Sequence, residues 1–175
     1  MQYSLWLIPE EPFRKKYNGL IYELSRKYRT PQFEPHITLI SVITGKEKDV
    51  VYKTDELAAQ TNKFDMEIAG LQTSDLWYKS LFARMRKTAE LITLHKRALE
   101  IFGEMAEHGD YDPHMSLLYD SIENKDKQQT CNDIKWVEKE KFGVATIFLV
   151  VRPIVTEDIK KIKIVGKFSL GKKEL

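Results

Sequence analysis

One succession of elements occurs twice in this chain, and it restricts the fold more than any other feature. An apolar strand, an amphipathic helix and a strand introduced by Pro-His run from Tyr3 to Ile43, and the same order returns from Leu76 to Tyr119. The duplication predicts two similar lobes packed as one unit. Strands and helices alternate only partly elsewhere, which favours an α+β class over a doubly wound parallel sheet.

The individual elements follow from periodicity. Tyr3 to Ile8 is an apolar run ended by Pro9 and reads as a buried strand. Pro12 opens a helix, where its missing N–H costs nothing, and Phe13, Tyr17, Leu20, Ile21, Leu24 and Tyr28 recur on one helical face. Thr30-Pro31 stops it, and Pro35 introduces the β-branched strand His36 to Ile43. A helix around Asp49 to Gln60 and strands at Phe64 to Ala69 and Leu76 to Met85 come next. Thr88 to Phe102 forms a helix with Leu91, Leu94, Ala98, Ile101 and Phe102 inward, and Pro113 leads into the strand His114 to Tyr119. The remainder predicts a short helix within Glu123 to Asn132 and strands at Lys135 to Glu138, Val144 to Val151 and Ile162 to Leu170.

Composition narrows the function classes. The 175 residues are 42% apolar, enough for one domain with a real core, read as a single unit over residues 1–175. Charged residues make up 31%, yet the net charge is only +2, which argues against a dedicated nucleic-acid binder and suits a small anion held by local groups. Cys131 is the only cysteine, so an intramolecular disulfide and a cysteine zinc site are both excluded. The first residues lack the pattern of a signal peptide, and no apolar run approaches the ~18–20 residues that span a bilayer. A reducing, intracellular setting is expected, cytoplasmic with the nucleus open, without membrane association.

The two Pro-His strands carry the chemistry. Pro35-His36-Ile37-Thr38-Leu39 and Pro113-His114-Met115-Ser116-Leu117 share the order Pro, His, apolar, hydroxyl, Leu. Alternation in a strand puts His36 with Thr38 and His114 with Ser116 on one face, and turns Ile37, Leu39, Met115 and Leu117 to the other. If the lobes are related by a pseudo-two-fold axis, two imidazoles and two hydroxyls converge on one groove. Phosphodiester hydrolysis needs a base for water on one side of phosphorus and an acid for the departing oxygen on the other. Two histidines supply both. Thr38 and Ser116 can donate to the non-bridging oxygens, and the set works without a metal or cofactor. The near symmetry of the motifs does not distinguish base from acid.

These segments, together with Tyr3-Ser4-Leu5-Trp6-Leu7-Ile8-Pro9, Phe33-Glu34-Pro35 and Leu118-Tyr119, resemble the two-histidine (2H) phosphoesterase superfamily, and within it the cyclic phosphodiesterases of plants and yeast. The resemblance covers most of the chain and thins after Tyr119. It implies a bilobal α+β fold whose antiparallel sheets face a central cleft with helices outside. It implies metal-free hydrolysis of ADP-ribose 1″,2″-cyclic phosphate to the 1″-phosphate, and of nucleoside 2′,3′-cyclic phosphates to 2′-phosphates. The catalytic quartet maps onto His36, Thr38, His114 and Ser116, and the aromatic substrate contacts onto Trp6, Tyr78 and Tyr119. Leu76-Trp77-Tyr78 departs from the consecutive Phe of the plant pattern. Read without the resemblance, Trp6 packs in the core or walls the cleft, and Tyr119, an odd number of residues beyond His114, turns away unless a bulge or the strand's end restores it.

Other polar groups read more plainly. His95 lies on the apolar side of its helix and reads as a core or boundary histidine, and His108 as an exposed loop residue. Asp110 and Asp112 stand close enough to favour the imidazolium of His114. Lys46, Lys48, Lys53, Lys160, Lys161 and Lys163 read as solvated faces. No phosphate-binding glycine loop of the Walker or dinucleotide type is present. The expected partner is a small cyclic phosphate or nucleotide bound by a monomer. Two rival readings remain: an enzyme of RNA ends (a 2H phosphodiesterase or ligase), and a non-catalytic nucleotide- or RNA-binding module.

Overall fold

Strand pairing in the computed structural model, which describes residues 2–119, 122–152 and 161–171, follows from which faces are apolar. β1 (Gln2–Leu7) is the most buried strand: Tyr3, Leu5 and Leu7 enter the main core, while Trp6 continues with Ile8, Phe148 and Val150 in a second apolar cluster on the opposite side. A strand apolar on both faces belongs in a sheet's interior. β1 indeed pairs antiparallel with β2 (Ile37–Thr44) on one side and β7 (Thr146–Arg152) on the other.

The remaining strands are β3 (Phe64–Thr73), β4 (Leu81–Met85), β5 (His114–Leu118), β6 (Lys141–Val144) and β8 (Lys163–Ser169). All eight join in one sheet, in the order β6-β3-β4-β5-β2-β1-β7-β8. Its halves mirror one another about the β5/β2 seam, with β4 standing for β1 and β5 for β2. The doubled order seen in the sequence is thus the α+β architecture of two related lobes, joined edge to edge through antiparallel pairing of Ile37 with Met115.

Helix α1 (Phe13–Tyr28) connects β1 to β2, and α3 (Ala89–Phe102) connects β4 to β5. Thr88 caps α3 by accepting from the Leu91 N–H at 3.3 Å. Leu91, Leu94, Ala98 and Phe102 are its buried face. Each connecting helix packs on the other lobe's motif strand, α1 on β5 and α3 on β2. Helix α2 (Glu47–Ala59) lies against β7, β8 and α3, and α4 (Asn124–Asp133) against β3. Among the described residues no helix is long and apolar enough to cross a membrane.

Two strand expectations fail, both for local reasons. Leu76 to Ser80 does not extend β4; Trp77–Lys79 form a 3-10 turn. The Ser74 hydroxyl donates to the Lys79 carbonyl at 2.6 Å and accepts from the Leu76 N–H at 3.2 Å, a side-chain turn that outweighs the β-propensity of the aromatics. Lys135–Val137 is likewise a 3-10 turn, ended at Lys139 with φ 70°, and the edge strand is β6, pairing Met66 with Phe142. Lys160 lies outside the described residues, and Lys53, expected in solvent, instead donates to the Ile101 carbonyl.

Candidate active site

The seam between the lobes sets the site. Carrying the Ile37–Met115 register one residue each way places His36 across from Ser116, and Thr38 across from His114. Directly opposed residues of an antiparallel pair share a face, with Cβ atoms ~4.5–5.5 Å apart. Each histidine therefore neighbours the hydroxyl of the other motif. The structure brings together all four residues singled out by the sequence.

Both imidazoles are held the same way. His36 Nδ1 lies 2.7 Å from the Glu34 carbonyl and His114 Nδ1 lies 2.7 Å from the Asp112 carbonyl. A carbonyl only accepts, so Nδ1 carries the proton in each ring, leaving Nε2 of the neutral ring with a lone pair. The signal was present in the sequence as acid-Pro-His, twice: Glu34-Pro35-His36 and Asp112-Pro113-His114. Proline holds the preceding acidic residue extended, which aims its carbonyl at the ring two residues on. The two carboxylates are anchored in turn, Glu34 by Arg14 Nε at 2.7 Å and Asp112 by Lys79.

The environments of the two rings differ. His36 is 9% exposed and stacks on Trp6 at a centroid distance of 3.6 Å and an interplanar angle of 11°. Burial pulls its pKa down to about 4; the Glu34 carbonyl opposes that, and the charge of His114 adds to it. His114 is more accessible and meets Phe82 edge-on at 5.4 Å. Burial lowers its pKa too, the Asp112 carbonyl and carboxylate oppose it, and Lys79 reinforces it. The acidic neighbourhood expected to favour the His114 imidazolium is therefore outweighed, chiefly by burial of the ring and further by Lys79, which pairs with the Asp112 carboxylate.

A cleft of about 370 Å³ opens over the His36 side, walled by Ser4, Trp6, Thr38, Tyr78, Tyr119 and Arg152. A neighbouring arm of about 400 Å³ runs over the His114 side, past Lys79, His95, Glu107 and Asp112. Thr38, Ser41, Tyr78 and Glu107 border both. Trp6 faces the cleft because it is paired with Thr38. Tyr119 does so because β5 carries a bulge: Phe82 pairs with Ser116 but Leu81 with Leu118, so the extra residue reverses alternation. Phe33 stacks on its ring at 3.7 Å, and Trp77 meets it edge-on at 5.5 Å. Tyr78, 44% exposed, sits on the rim.

Several residues escaped the sequence reading. The Ser116 hydroxyl donates to the Tyr78 carbonyl at 2.8 Å, tying the 3-10 turn to the motif strand. Lys127, 3% exposed, donates to the Ser74 carbonyl at 2.7 Å and braces the same turn from α4. Arg152 enters from β7 and donates to the Ser41 carbonyl at 2.8 Å. No periodicity announces such contacts, since each depends on a carbonyl brought near by the fold. His95 is a boundary residue, its Nδ1 at 3.0 Å from the Leu39 carbonyl and its ring stacked on Tyr111, and His108 is exposed. Among the described residues no group of three or more His, Cys, Asp or Glu side chains is arranged to hold a metal ion.

A curled antiparallel sheet with a His-x-Thr and a His-x-Ser strand side by side at its centre defines the two-histidine phosphoesterase class. The model of the family described as cyclic phosphodiesterase-like protein matches residues 1–172, and this chain belongs to that family. The cyclic phosphodiesterase of Arabidopsis thaliana is 25% identical over 130 residues, covering 72% of this chain and 69% of the plant protein. Among solved structures, TT0787 of Thermus thermophilus matches with a TM-score of 0.66 at 16% identity, over 99% of this chain and all of that one (100%). E. coli LigT complexed with 3′-AMP matches with a TM-score of 0.62 at 14% identity, over 98% and 100%. At such identities the two structures establish a shared fold.

Proposed function

We propose that this chain hydrolyses nucleotide-type cyclic phosphates by metal-independent acid–base catalysis, with His36 as base and His114 as acid. The observation that carries the reading is the paired tautomer lock: both Nδ1 atoms are committed to carbonyls, which leaves Nε2 of each ring for chemistry, and the rings line two adjoining pockets that share Thr38 and Tyr78. His36, held neutral by burial, takes a proton from water at Nε2. The resulting oxygen bonds to phosphorus, the ester bond of the ring breaks, and the leaving oxygen receives the Nε2 proton of His114. The product is a monoester. Solvent then returns the proton from one ring to the other.

Thr38 is suited to donate to a non-bridging oxygen. Ser116 reaches one only after its hydroxyl turns from Tyr78. Thr38→Ala is accordingly expected to lower kcat about 10²-fold, the usual effect of one lost transition-state donor. Ser116→Ala is expected to cost less, and a larger loss there would assign the phosphate to Ser116 instead. The aromatic walls Trp6, Tyr78 and Tyr119 suit a nucleoside base or the adenine of ADP-ribose. ADP-ribose 1″,2″-cyclic phosphate and nucleoside 2′,3′-cyclic phosphates are the proposed substrates.

The pH dependence is determined in sign. Free enzyme must hold His36 neutral and His114 protonated. Both rings titrate below the ordinary imidazole value, His36 at about 4. kcat/KM should therefore fall as pH rises through the His114 value, already below about 6.5, with its acid limb near pH 4. A basic limb above neutrality would contradict these roles. The deciding experiment is phosphorus NMR on the protein with adenosine 2′,3′-cyclic phosphate and excess EDTA. Conversion to the 2′-phosphate alone is expected. If no cyclic phosphate of either kind turns over, the proposal fails.

A further inference from the structure

Among the described residues, Arg14 and Lys79 anchor the two acid-Pro-His units, and Lys79 also lines the cleft arm over its histidine. Its side chain is only 14% exposed, with the ammonium 4.4 Å from the centre of the Phe82 ring. Phe82 is paired with Ser116 and meets His114 edge-on, so the lysine stem runs toward the motif strand rather than into solvent. Lys79 lines the arm together with Thr38, Tyr78 and His114, and its ammonium is placed by Asp112, which lines the same arm. Arg14, its counterpart in the other lobe, is anchored to Glu34 but lies over Phe148, 6.0 Å from the ring centre. The duplicated scaffold is symmetric in its ion pairs and asymmetric in where they lead.

An ammonium has three N–H donors, and the half-exposed Asp112 carboxylate takes only part of them. Holding a lysine this deeply for a half-exposed partner gains little stability, because ion pairs open to solvent are weak and burying a cation is costly. The lobe-two motif also lacks a free neutral donor, since Ser116 is engaged with Tyr78. From these features, and resting on the phosphate site described above, we infer that Lys79 contacts the substrate phosphate. Its ammonium shares its protons between Asp112 and a non-bridging oxygen beside His114. The Ser74-closed turn, braced by Lys127, is the device that delivers it.

The test uses the full chain and inorganic phosphate as the probe, followed by calorimetry, with the His114 ring followed by proton NMR across pH. Lys79→Met is expected to weaken phosphate binding about tenfold or more, the worth of one charged hydrogen bond. Lys79→Arg should recover most of it. In Lys79→Met the His114 titration should move to higher pH, because the cation is gone and the Asp112 carboxylate is unpaired. The charged groups bearing on His114 are Lys79, Asp112 and His36, with Lys87 acting on Asp112. Asp112→Asn, which keeps the backbone carbonyl, should tighten phosphate binding by releasing the ammonium. Unchanged phosphate affinity in Lys79→Met, or no gain in Asp112→Asn, overturns the inference and leaves Lys79 a clamp on its turn. Because phosphate binding is read without turnover, a wild-type chain inactive on every cyclic phosphate would defeat the proposed function and leave this result readable.

Discussion

His36→Ala and His114→Ala are each expected to lower kcat on a cyclic phosphate by about 10²- to 10⁴-fold, the span for removing a positioned acid or base. The double variant should fall little further than the worse single one, because the two rings serve one step and their losses do not add. Steady-state rates on adenosine 2′,3′-cyclic phosphate measure this directly. Asparagine at position 36 or 114 separates shape from proton transfer, since it is polar yet moves no proton. Near-wild-type turnover in both alanine variants would show that the groove performs no acid–base chemistry.

Lowering the pH is expected to destabilise the folded chain through His36. Its ring stays neutral down to about 4 in the folded protein, whereas an exposed imidazole binds its proton near ~6.5. Between those values the unfolded chain binds more protons than the folded one, so stability falls as pH falls. Above about pH 6.5 the contribution is level. The loss accumulated by pH 4 is about 3 kcal/mol, a large fraction of a typical domain's stability. Urea unfolding of wild type and His36→Gln at about pH 7.5 and about pH 4.5, on either side of most of that window, isolates this share, since other groups affect both chains alike. The wild-type advantage should shrink by most of that amount at the lower pH. Parallel stability in the two chains would mean that His36 is hydrated and titrates normally.

The parts of this protein legible in its sequence are those that repeat or alternate. The Pro-His strands could be placed because period-two patterning and proline fix both their start and their inward residues, and the seam brings those residues together as that pattern required. Trp6 and Tyr119 were ambiguous because strict alternation gives the wrong face for Tyr119. One extra residue in β5 corrects it, and Leu117 and Leu118, both apolar and both buried, give no hint of where the bulge lies. The turn at Trp77–Lys79 was hidden more deeply. Its residues have strand-like preferences, and the hydroxyl of Ser74, just upstream, decides their conformation. Lys79 is illegible for the same reason, since its place beside His114 exists only when the chain curls back at this turn. Edge strand β6 was missed because Lys141, Phe142, Gly143 and Val144 offer too few residues for a pattern.

The crossed packing of the two connecting helices has a mechanical consequence. Each histidine strand rests on a rod whose ends are fixed in the opposite half, α1 beneath β5 and α3 beneath β2. Any hinge that parted the halves would have to drag both rods across the sheet. The spacing between the two imidazoles is therefore held as in a braced frame, and a truncation at Leu20 or Leu94, far from any phosphate, would reach the chemistry as a small misalignment of one ring against the other.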